Sequence, residues 1–121
     1  AEYQSIQLRV AEAAAAIEAA KLLVLHDCDR IMDVYTAGKA LTEAERARNK
    51  GDLGFAARLA TQAVDRLVES GGGQSLFDAN LIQRYWRDIH AGSLHISVNW
   101  DAVGSLYGRV ILGLPAGTAQ F

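Results

Sequence analysis

The densest run of chemically capable side chains lies between Gln83 and Asp101. At helical spacing Gln83, Arg87 and His90 share one face, and Arg84, Asp88 and Ala91 another. Arg84 and Asp88 are therefore an i,i+4 pair, which reads as an ordinary helix salt bridge. His90 reads as structural, and His26, flanked by Asp27 and Asp29, as a surface residue. His95 differs in kind. Gly92 and Ser93 precede it and Ile96-Ser97-Val98 is locally β-branched, which predicts an interrupted helix there. An imidazole at such a break can face a cavity and titrate near neutral pH. Taken alone, a single histidine in that setting is more often exposed or simply satisfied than catalytic.

Other chemistries find less support. His90 and His95 are five positions apart with no cysteine or carboxylate pair beside them, which argues against zinc. No Glu-x-x-His pair is present, so a di-iron bundle is excluded and no metal site is expected. There is no P-loop and no Gly-x-Gly-x-x-Gly after a strand. Gly71-Gly72-Gly73 could bring backbone amides near a phosphate, although a triple glycine is ordinarily a helix stop. The net charge of −2 is spread along the chain, and the basic run Arg46, Arg48, Lys50 is flanked by Glu43, Glu45 and Asp52. That pattern reads as a solvated helix start, and no nucleic-acid binding is expected.

These residues must be positioned by helices. With 121 residues, half of them hydrophobic, the chain fits one domain, and its one proline, Pro115, leaves long helices uninterrupted. A first helix is predicted from about Tyr3 to Ala37, with Ile6, Val10, Ala13, Ile17, Ala20, Val24, Cys28, Ile31 and Val34 forming its apolar stripe. It stops at Gly38 and is on the order of 50 Å long, more than an isolated small domain covers. Cys28, on that stripe, is expected to be a buried small hydrophobe. As the single cysteine it excludes an intrachain disulfide.

Thr42 and Glu45 form a capping box that opens the second helix. Leu53, Ala56, Ala60, Ala63, Val64 and Leu67 carry its stripe to Gly71, and the alanines permit close approach of a neighbour. After a linker, Gln74 to Ala79, Asn80 and Gln83 look like a second capping pair for a helix from Leu81 to Gly92. The last helix spans about Asn99 to Leu112, with Trp100, Val103, Leu106, Tyr107 and Val110 inward. Residues 1–113 are expected to form the bundle and 114–121 a tail. Short connections predict an all-α, antiparallel up-and-down four-helix bundle. No signal peptide or membrane-spanning run is expected, which makes a cytoplasmic setting the default.

Taken together, the pattern resembles a known family. A long alanine-rich helix, then Val68-Glu69-Ser70-Gly71-Gly72-Gly73, then Leu81-Ile82-Gln83-Arg84-Tyr85-Trp86-Arg87-Asp88, resembles the C-terminal helical domain of the acyl-CoA dehydrogenase superfamily. Leu94-His95, Trp100-Asp101 and Leu106-Tyr107-Gly108-Arg109 are similar to its branch of two-component, reduced-flavin-dependent monooxygenases. The resemblance implies a C-terminal domain of a much longer polypeptide. That polypeptide would use reduced FMN or FAD from a separate flavin reductase, with oxygen, on a small-molecule and preferably aromatic substrate. It also implies a homotetramer.

By the same resemblance His95 is the catalytic residue, hydrogen-bonding or deprotonating the substrate. Gly71, Gly72 and Gly73 would lie near the cofactor's phosphate or ADP portion. Arg84, Arg87 and Asp88 would mainly frame the helix presenting His95, with Arg84 a further cofactor contact. One departure bears on the alternatives. Many dehydrogenases of the superfamily place a glutamate base near this point, whereas Ile89 to Asn99 holds no carboxylate. Dehydrogenation is thereby disfavoured. A non-catalytic helical oligomerisation module is the third reading.

Overall fold

The computed structural model describes residues 2–73 and 80–117. The expected linker and the end of the expected tail, 118–121, lie outside the described residues. Four helices are formed: α1 (Glu2–Thr36), α2 (Glu43–Gly71), α3 (Leu81–Ser93) and α4 (Trp100–Ile111).

Their ends follow local chemistry. Gly38, at φ +70°, ends α1, as the Lys39 N–H reaches the Val34 carbonyl at 3.0 Å. The Thr42 box is fully made: the Glu45 N–H donates to Thr42 Oγ1 at 3.2 Å, and the Thr42 N–H donates to Glu45 Oε2 at 2.7 Å. The bond from the Thr42 amide is the main cause holding the Glu45 carboxyl below its usual range. Asn80 caps α3 by accepting from the Ile82 N–H at 3.1 Å. The second half of that expected box is not made, because Gln83 Oε1 is buried without a hydrogen-bond partner. Asn99 caps α4 through the N–H groups of Asp101 and Ala102.

The result is an all-α helical bundle with α2 as its axis. Among the described residues α1, α3 and α4 each pack on α2, and α1 meets neither α3 nor α4. Pairing is antiparallel. Glu12 of α1 reaches Arg66 near one end of α2, while Val24 and Asp27 meet Asn49 and Leu53 near the other. Trp86 and His90 of α3 meet Asp65, and Val103 and Tyr107 of α4 pack on Gly54 and Gly51. So α3 and α4 run one after the other along α2, as a single column broken at 94–99. The four helices fill three columns.

That layout leaves a thin core of Ala13, Ala20, Ala47, Ala56, Ala63, Val103 and Leu106. On α1 the positions buried against α2 are Ala13, Ala20 and Asp27, seven residues apart. Cys28 lies about 100° round the helix from Asp27 and is exposed, contrary to expectation, because no second helix covers its side of α1. Ile6, Val10, Ile17 and Leu22 are exposed for the same reason. The closest approach to α2 comes from two glycines as well as from the alanines. A Cβ at Gly51 would overlap the Tyr107 ring, and one at Gly54 a Val103 methyl.

Candidate functional site

The break that carries His95 is rigidly tied. The His95 N–H donates to the Gly92 carbonyl at 3.1 Å, and the His95 carbonyl accepts from the N–H groups of Val98 and Asn99, each at 2.9 Å. Within that turn the Ser97 N–H donates to His95 Nδ1 at 3.2 Å. The imidazole itself is exposed.

Beside the turn, between α2 and the start of α4, lies a cavity of about 290 Å³. Its walls include Gly54 and Arg58 from α2 and Leu94, Val98, Asn99 and Trp100 from the break and α4. Leu94 and Val98, which flank His95 in sequence, are among its walls, and His95 itself is not. Trp100 is fixed by Phe55, with ring centroids 5.5 Å apart and planes at 54°. The Arg58 guanidinium carbon lies 5.9 Å from the Trp100 ring, within cation–π range. The hollow thus combines an aromatic wall, one cation (Arg58), one carboxylate (Asp101) and several hydrogen-bonding groups, which suits a flat, partly polar ligand.

Behind the break, α3 is anchored to α2 through one carboxylate. Asp65 Oδ1 accepts from Trp86 Nε1 at 2.8 Å and lies 2.7 Å from His90 Nε2. The two rings also touch in a tilted pair, with centroids 4.7 Å apart and planes at 47°. His90 is therefore framework, as its sequence suggested, and Trp86 shares that role. Their partner Asp65 was not foreseen, being 25 and 21 residues away with no local signal. The Arg84–Asp88 pair is present at 3.8 Å, but both side chains are over two-thirds exposed, so it stabilises little.

The expected cofactor residues sit elsewhere. Gly71, Gly72 and Gly73 are exposed at the end of α2, and Arg84 is exposed in the first turns of α3. His95 follows the other end of that 13-residue helix, roughly 15 Å from Arg84 at 1.5 Å per residue. Gly72 takes φ +57° and its N–H donates to the Glu69 carbonyl. A helix stop accounts for that geometry. Among the described residues a Cβ at Gly72 or Gly73 would meet nothing within 4 Å.

A second polar cluster lies in the α1–α2 seam. Asp27 is buried, faces Asp52, and is paired with Arg30 at 3.2 Å, while Asp52 is paired with Arg48 at 3.3 Å. Burial, then the charge of Asp52 and the hydrogen bond to it, raise the Asp27 carboxyl above its usual range. Next to it Val24, Cys28, Ile31 and Leu53 line a mostly apolar hollow. Among the described residues no three His, Cys, Asp or Glu side chains converge as metal ligands would. No described helix is long and apolar enough to cross a membrane.

With this geometry in hand, relatives become informative. The family profile described as "Acyl-CoA dehydrogenase, C-terminal domain" matches residues 1–100. The chain belongs to this family. It is 42% identical over 118 residues to the oxygenase component of the FADH(2)-dependent resorcinol hydroxylase of Rhizobium sp. (strain MTP-10005), covering 94% of this chain and 29% of that protein. It is 33% identical over 111 residues to the oxygenase subunit HsaA of a flavin-dependent monooxygenase of Mycobacterium tuberculosis, covering 92% and 28%. The solved structure of XiaF from Streptomyces sp., in complex with FADH2 and glycerol, superposes with a TM-score of 0.89 at 30% identity, over 96% of this chain and 29% of that one. The chain therefore spans under a third of the length of the curated relatives it matches.

Proposed function

We propose that this acyl-CoA dehydrogenase-type domain is the C-terminal bundle of the oxygenase component of a two-component, flavin-dependent monooxygenase that hydroxylates a small aromatic substrate. A separate flavin reductase supplies reduced FMN or FAD, and copies of the chain assemble as a tetramer in the cytoplasm. The observation that carries this reading is the exposed His95 on a tied helix break beside the Arg58–Trp100 cavity, in a chain resembling oxygenase components of such systems.

The residues present suit a flavin on chemical grounds. The break offers Trp100 and Leu94 as apolar wall and Arg58 as a cation, while Gly71–Gly73 and Arg84 would contact a phosphate-bearing extension, the guanidinium supplying the positive charge that the C-terminal end of α2 does not. When bound, reduced flavin would supply the electrons that activate oxygen. The chain's own task is to hold the ring oxygen of the substrate, through His95, and to keep bulk water from the hollow, through Leu94, Val98 and Trp100.

His95→Ala in the full-length oxygenase tests the reading. Hydroxylated product per reduced flavin should fall about 10²- to 10⁴-fold, the range for removing a positioned proton-handling group. Reduced-flavin affinity should stay within a few-fold. Unchanged coupled product formation would remove His95 from the site. Reduction of bound FAD by an acyl-CoA without oxygen would instead indicate the dehydrogenase reading, which the carboxylate-free stretch Ile89 to Asn99 disfavours.

A further inference from the structure

The hollow between α2 and α4 holds a charge that the fold does not use. Arg58 stands on its α2 wall. Three and four residues away on that helix lie Gly54, Phe55, Thr61 and Gln62, so this face of α2 offers it no carboxylate. Asp101, on the α4 wall, sits in the first turn of that helix, where the positive end of the dipole already favours an acid. Among the described residues Arg58 forms no ion pair with Asp101 or with any other acid. Its contact is the Trp100 ring, whose centroid is 5.9 Å from the guanidinium carbon. That ring has a built seat. The indole lies back along α4 over Gly104, where an added Cβ would come 2.9 Å from Cε2, and Phe55 of α2 packs on it as well. Glycine inside a helix is unfavourable, and here the flat indole takes the room that a side chain would fill. The result is an aromatic face fixed in place, with a planar fork of N–H donors beside it.

We infer, resting on the hydroxylase reading above, that Arg58 is a specificity-determining residue: it receives the ionised acid group of an aromatic substrate whose ring lies against Trp100. The guanidinium fork matches the two oxygens of a carboxylate, and a hydrogen bond between charged partners is about twice as strong as a neutral one. Asp101 gives the hollow a polarity, because an acid group is drawn to the α2 wall and repelled from the start of α4. Leu94 and Val98 carry the hollow to the helix break, so a substrate with its acid end on Arg58 has its ring toward that break. An arginine that served only to cover Trp100 would be indifferent to the charge of the ligand. The reduced flavin is the other anion of this reaction, and its affinity separates the two roles.

The test uses the full-length oxygenase and two probes of one shape, meta-hydroxybenzoate and meta-hydroxybenzamide. At neutral pH the first is an anion and the second is uncharged. The parent protein should bind the benzoate about 10- to 100-fold more tightly than the benzamide, as expected for hydrogen bonds between charged groups. Arg58→Gln, an exposed exchange between two good helix formers, should bring that ratio to about one, the expected result of losing the charged fork. It should leave the affinities for the benzamide and for reduced flavin within a few-fold. Arg58→Lys, which keeps the charge and loses the fork, should keep part of the ratio. Gly104→Ala, which displaces the indole and leaves the cation, should lower the ratio as well, and an unchanged ratio there overturns the seat. No preference for the benzoate in the parent, or the same preference in Arg58→Gln, overturns the inference, while hydroxylation by the parent leaves the reading above standing. Loss of reduced-flavin affinity in Arg58→Gln with an unchanged benzoate ratio assigns the charge to the flavin and also overturns it. No hydroxylated product from any phenol with reduced flavin and oxygen overturns the reading and the inference together.

Discussion

The two flanks of α2 are built differently. Along the α1 seam the buried positions are alanines and one acid, Ala13, Ala20 and Asp27, and large apolar side chains stand exposed to either side. Along the other flank Gly51 and Gly54 let Tyr107 and Val103 sit against the α2 backbone, Leu106 is buried, and Asp65 ties down two aromatic-ring donors. The first flank is a long contact with modest interlock. The second is short, closely fitted and interrupted once, at His95. Close packing of α4 after the break, and the Asp65 anchor of α3 before it, hold the His95 turn in place. Uncovered apolar residues do not separate the flanks: Leu8 and Leu22 stand exposed on α1, and Leu81, Leu94 and Ile111 on the other column.

If that contrast is real, equal truncations should have unequal effects. Leu106→Ala removes a side chain buried against α2 and should destabilise the chain by about 2–5 kcal/mol. Ile17→Ala on α1 removes one that is 46% exposed and should stay below about 1 kcal/mol. Midpoints of chemical denaturation for the two variants decide the matter. A larger effect at Ile17 would invert the assignment of rigid and compliant flanks.

The glycine contact sharpens the point. A methyl group at Gly54 meets Val103 in a helix that cannot retreat without moving the His95 turn. Gly54→Ala should therefore cost about 1–3 kcal/mol despite alanine's better helix propensity. It should also lower hydroxylation beyond its effect on stability, because Gly54 lines the cavity. Pairing it with Val103→Ala should recover most of the loss. No recovery in the double variant would show that the clash is not the cause.

How much of this was legible in the sequence depends on range. Helix ends were readable because Thr42 with Glu45, Gly38, Gly72, Asn80 and Asn99 act within four residues of themselves. The break at His95 was readable from Gly92 and the β-branched Ile96 and Val98. Asp65 as the joint acceptor for Trp86 and His90 was not, since it depends on the register between α2 and α3. The burial of Asp27 in place of its neighbour Cys28 was unreadable for the same reason. Hydrophobicity marks the broad stripe, but the partner's placement selects which residue of two neighbours is buried. Gly51 and Gly54 carry no local turn signal, and only the seating of α4 explains them.

The smallest expected effect concerns the acid in the α1 seam. Asp27 has its carboxyl raised in the folded chain, first by burial and then by the charge of Asp52, and Arg30 and Arg48 offset this only in part. The folded state therefore binds the proton more tightly than the unfolded one. The stabilising contribution is complete below the ordinary carboxylate range and is lost as pH rises through the raised folded value. Asp27→Asn cannot ionise, keeps an amide donor for Asp52, and gives up the ion pair with Arg30. Because the raising influences outweigh the two arginines, the variant should be more stable than the parent at pH 7. That gain should vanish toward pH 3, and the gain should be smaller than the loss at Gly54. A pH series of unfolding midpoints would show it as two curves that converge on the acid side. Parallel curves, or a variant less stable throughout, would mean that the Arg30–Asp27 pair governs the seam and that the α1 flank is held by charge rather than tolerating it.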